Sequence, residues 1–138
     1  MEPFDDQELG DAIAEVESSS WAVRAAAGRR LATATQIEAV ADVLQRLLLD
    51  AQDTGVTSET AVSLLERGDL AGLRAVLAAL SRATDVGTAD QLSAELDCDS
   101  RWTTGNDASE LIQQLQALTS DADQGVRDEA ERRLSRLR

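Results

Sequence analysis

A chain of 138 residues suffices for one domain, since roughly two thirds of the unfolded surface of a chain this size is buried on folding. It has no histidine, no lysine among its thirteen basic residues and one cysteine, Cys98, which excludes His-containing triads, His-ligated zinc, Schiff-base lysines, P-loop phosphate binding and an intrachain disulfide. A net charge of −13 repels nucleic-acid phosphates and anionic membranes and favours a basic protein partner.

Apolar residues recur at three- and four-residue spacing throughout, the signature of amphipathic helices. The first segment runs from about Asp5 to Ser18, with Leu9, Ala12, Ile13 and Val16 on one face and Asp5-x-x-Glu8 resembling a capping box. Ser20 caps a second helix bearing Val23, Ala27 and Leu31, with Trp21 at its start placed to pack on the first. Thr35-x-x-Glu38 opens a third, long helix, whose stripe of Ile37, Val40, Ala41, Leu44, Leu47, Leu48 and Ala51 makes it the expected centre of the core. Gln45 and Arg46 interrupt its richest apolar run, which is far short of the roughly 18 to 20 residues that span a bilayer.

A fourth helix from Ser58 carries Ala61, Leu64 and Leu65; Gly68 permits its left-handed cap, and Asp69 caps a fifth with Leu70, Leu73, Val76, Leu77 and Leu80. Thr88-x-x-Gln91 introduces a short sixth with Leu92 and Leu96. Residues 97–107 form the longest irregular stretch. Asp107-x-x-Glu110 then opens a seventh helix with Leu111, Ile112, Leu115 and Leu118, and Asp123 caps an eighth with Val126, Ala130 and Leu134. Short joins imply stacked helical hairpins. The three aromatics, Phe4, Trp21 and Trp102, leave a core of small and aliphatic side chains, which suits closely packed helices rather than strands.

The second and eighth helices repeat one another: Val23-Arg24 through Arg29-Arg30-Leu31 aligns without gaps on Val126-Arg127 through Arg132-Arg133-Leu134, with Ala27 on Ala130. Asp53-x-x-Val56, followed by Leu64, is a fainter copy 33 residues after the first. Asp-x-x-Val-Arg-x-x-Ala-x-x-x-Leu, complete from Asp123 to Leu134, resembles a HEAT-like repeat helix. The first copy departs from it at Ser20. The resemblance implies an all-α fold, an α-α superhelix of about four stacked hairpins over residues 1–138, with Asp53, Asp123, Arg24 and Arg127 forming a ladder between repeats. A helical bundle without repeats is the competing architecture.

Asp97-x-Asp99 fails as a calcium loop, because Trp102 and Ala108 stand where an EF-hand needs glycine and glutamate. Seven acidic residues and no basic one lie within residues 1–17, unlike a secretory signal, and a cytoplasmic, bacterial protein is expected. From Val126 onward five arginines face three acidic residues, which suits a helix C-terminus. With catalytic residue types so depleted, the expected function is non-enzymatic: binding of a basic protein, in its sharpest form as an immunity or antitoxin-type inhibitor. No cofactor is expected on that reading. The alternative is a helper or carrier similar to HEAT-like bilin lyases, which needs an apolar groove for a small ligand. The expected contact surface is the acidic loop with Asp97, Asp99, Trp102 and Asp107; Trp102 either anchors an interface or folds back over the core.

Overall fold

The computed structural model describes residues 6–99, 101 and 108–137. Eight α-helices are present among them: α1 Asp6–Glu15, α2 Trp21–Ala32, α3 Ala41–Leu48, α4 Thr54–Glu66, α5 Leu70–Arg82, α6 Val86–Asp97, α7 Ala108–Leu118 and α8 Gln124–Leu137. There is no strand among the described residues, and no helix there is long and apolar enough to cross a membrane. The all-α fold expected from periodicity is therefore what the chain adopts.

The helix starts show which side chains fix the elements. Ser20 and Asp69 accept hydrogen bonds from the amides of Val23 and Gly72, and Asp123 accepts one from Val126, as their spacing predicts. Gly68 stands at φ 72°, the left-handed geometry that ends α4. Two starts lie upstream of the expected ones. Asp53, not Ser58, caps α4 through the Gly55 amide, and Asp85, not Thr88, caps α6 through the Thr88 amide. Asp5 and Asp107 lie outside the described residues.

The long third helix is divided. Ile37–Val40 forms a 3₁₀ turn, Val40 departs from helical geometry at φ −119° and ψ 20°, and α3 begins only at Ala41. Ile37 and Val40 are three apart, the spacing that aligns side chains in a 3₁₀ turn, whereas Leu44, Leu47 and Leu48 follow the α period. All five are buried, while Ala41 and Ala51 are exposed.

Two layers result. α2, α4 and α6 pack side by side in one; α3, α5 and α8 form the other. α1 covers α2, and α7 lies on α8 and the edge of α5. The α4–α5 hairpin occupies the centre expected of α3, because α4 meets α2, α3, α5 and α6 while α5 meets α3, α4, α6, α7 and α8. At the α2–α4 crossing a Cβ on Gly28 would stand 2.1 Å from the Thr60 hydroxyl oxygen, so only glycine allows that approach.

α8 does not continue the α2–α4–α6 layer despite its sequence likeness to α2. Three features hold it on α5: Gly125, where a Cβ would stand 2.4 Å from the Ser81 hydroxyl; Arg74, paired with Asp121 at 2.8 Å; and Arg82, paired with Asp123 at 2.7 Å. Trp21 also differs from expectation. Its ring lies against the start of α4 at Gly55 and is half exposed.

Candidate functional site

The loop after α6 is anchored rather than free where it is described. Asp99 is buried and takes a bidentate pair from Arg101, Nε to Oδ1 at 3.1 Å and an Nη to Oδ2 at 3.0 Å, with the Arg101 amide closing on Oδ1. The remaining guanidinium nitrogen donates to Gln114 on α7 at 2.7 Å and to the Gly68 carbonyl at 3.3 Å. Arg101 thus ties three segments together, and both carboxylate oxygens of Asp99 are engaged by it. Asp97 is half exposed and paired with Arg133, with Arg136 3.7 Å away. Trp102 and Asp107 lie outside the described residues.

A regular set of arginine contacts was not anticipated by the sequence. Arg67 donates to the Ala34 carbonyl at 2.6 Å, and Arg101 donates to the Gly68 carbonyl; each acceptor lies 33 residues earlier. The two donors are 34 residues apart, as are the two acceptors, close to the 33-residue spacing of Val23 and Val56 in the sequence. Of the four ladder residues, Arg24 pairs not with Asp53 but with Asp50, in the loop between α3 and α4, Nε to Oδ2 at 2.8 Å. Arg24 and Arg127 each also donate to the carbonyl six residues upstream, Ser18 and Asp121. Asp53 serves as a cap, and Asp123 pairs with Arg82. The missed signal was the recurrence of arginine at positions 67 and 101 after each inner helix.

A groove of about 470 Å³ lies between α5 on one side and α3 with the preceding 3₁₀ turn on the other. Its floor is Ile37, Ala41, Leu44, Ala71, Ala75 and Ala78. Gln45, which interrupts the apolar run in the sequence, spans it by donating to the Ala75 carbonyl at 2.9 Å and accepting from Arg82 at 3.3 Å. The two rims differ. On α5, Arg74 and Arg82 are already neutralised by Asp121 and Asp123. The Arg74 side-chain hydrogen bond holds the Asp121 carboxyl below its ordinary value, against a weaker opposing effect of burial, and the same bond raises Arg74. Across the groove, the exposed carboxylates of Glu38, in the 3₁₀ turn, and Asp42, in α3, line the other rim. The groove is therefore apolar below and net acidic above.

No protein-family model, curated protein or solved structure matches this chain.

Proposed function

We propose that this chain is a non-enzymatic binding module of the HEAT-like type, and that its α3–α5 groove receives a basic amphipathic helix of a protein partner, possession of which would suit an immunity or antitoxin-type inhibitor. The observation that carries the reading is the charge asymmetry of the groove. Alanines at 71, 75 and 78 fall on one face of α5 and let a helix backbone come close, while Glu38 and Asp42 put exposed carboxylates on the opposite rim to meet cations. The chain's net charge of −13 adds long-range attraction for the same partner. The recurrence of the Arg67 contact at Arg101, 34 residues on, supports the repeat component of the reading.

Affinity capture from the native host should be run side by side with wild type, Ala75→Leu and the double variant Glu38→Gln with Asp42→Asn. A basic protein should be retained by wild type, lost with Ala75→Leu and weakened by the charge variant, with more loss at low salt than at high. Equal retention by all three places the interface elsewhere; retention of no basic protein ends the reading. A groove of this volume also falls within the range of small-molecule sites, roughly 300 to 1,000 Å³, which is what favours the second reading of a carrier for a small apolar ligand. Co-purification of a coloured ligand, lost with Ala75→Leu, would select it.

A further inference from the structure

A second cavity, of about 130 Å³, opens among α5, α6, α7 and α8. Its apolar wall is Leu73, Leu96, Leu111 and Leu115, all buried. Its polar lip is Asp97, Arg133 and Arg136, because the fourth charged lining residue, Asp99, is committed to Arg101. Only 12% of the Arg133 side chain is exposed, yet its partner Asp97 is half in solvent and is shared with Arg136. Arg132 nearby is held by Glu129. Four arginines thus meet three carboxylates, and the charge left over lies beside an apolar cavity. Burial pulls the Arg133 guanidinium below its usual value; Asp97 and Glu129 work against this, while Arg136 adds to it.

We propose that this cavity binds a small carboxylate, its anionic group bridging Arg133 and Arg136 and its apolar body lying among the four leucines. A leucine-lined cavity of roughly 150 Å³ accepts benzene, so the body should hold about six carbon atoms. A guanidinium pair is the natural receptor for a planar carboxylate, and the bond strengthens where water is excluded. The acid would come either as a free metabolite or as the C-terminal residue of a peptide. This site is separate from the α3–α5 groove and does not depend on it.

The test uses 4-methylpentanoate as the probe, its neutral amide as the control and a short peptide ending in a free leucine carboxylate as a further arm, followed by leucine methyl resonances of the full chain. Saturable shifts at Leu96, Leu111 and Leu115 are expected for the acid, with the amide weaker by about tenfold, the loss of one charge-assisted bond. Arg136→Gln, at a side chain 59% exposed, should weaken the acid without lowering the melting temperature. Asp97→Asn should tighten it several-fold, because the carboxylate that competes for both guanidiniums is gone. Tighter binding of the peptide or of the free acid assigns the source, and either upholds the chemistry. Equal binding of acid and amide, weaker binding after Asp97→Asn, or no saturable shift in either wild type or Asp97→Asn overturns the proposal.

Discussion

A guanidinium with 8% of its side chain exposed must be paired, and Arg24 is held by Asp50, itself 9% exposed. Burial works against the charged form of Asp50. The Arg24 hydrogen bond and the amides of Gln52 and Asp53 outweigh it, so the carboxyl lies below its ordinary value. Arg24→Met leaves that carboxylate buried without its cation and should cost about 3 to 5 kcal/mol in urea denaturation at neutral pH. A depressed carboxyl stabilises the fold above its unfolded value and loses that contribution as pH falls through the folded one. The gap between wild type and variant should therefore narrow once pH drops below the usual aspartate range; a gap that stays constant would assign the loss to packing of the arginine stem. The sequence showed Arg24 through the Val-Arg pattern but not its partner, because Asp50 sits outside the repeat motif, three residues before the cap. The burial of Asp99 escaped the sequence for a related reason. An acidic residue in an irregular stretch reads as solvated unless its cation is recognised, and Arg101, two residues on, folds back onto it.

Helices were legible wherever apolar periodicity and a cap agreed, as at Ser20, Asp69 and Asp123. Where two cap patterns overlapped, the Ser/Thr-x-x-Glu/Gln form drew the start inward: Thr88 was read as the cap, although its amide and hydroxyl both donate to Asp85. Asp85→Ala should accordingly cost about 1 kcal/mol, the usual value of a helix cap. In α3 the stripe was legible and the break was not, because Ile37 and Val40 are compatible with either helix type until φ and ψ at Val40 are known. Burial survives the break. Leu44, 1% exposed, should cost roughly 2 to 5 kcal/mol when changed to alanine, well above the cap variant. Thermal or chemical denaturation giving equal losses would mean that the groove beside Leu44 collapses to fill the space.

Composition and periodicity together specify an all-helical fold, but not which layer the last helix joins, since α2 and α8 share a motif and differ in neighbours. That choice rests on Gly125 and on the ion pairs of Asp121 and Asp123 with α5, which no local pattern reveals. The whole chain also carries 26 acidic residues against 13 basic ones. Exposed pairs such as Arg29 with Glu59 and Arg46 with Glu17 contribute only about 0 to 1 kcal/mol each, so they do not offset repulsion spread over the surface. Screening acts on that repulsion over a length that falls from about 30 Å at 0.01 M to about 3 Å at 1 M salt. Raising sodium chloride should therefore raise the melting temperature, while the buried Arg24–Asp50 and Arg101–Asp99 pairs are little affected. The same screening should weaken capture of a basic partner, because the field that strains the isolated chain is the one that attracts the ligand. Melting and binding measured across one salt series should move in opposite directions. A melting temperature that falls with salt would show that surface ion pairs outweigh repulsion, and a capture insensitive to salt would remove the acidic field from recognition.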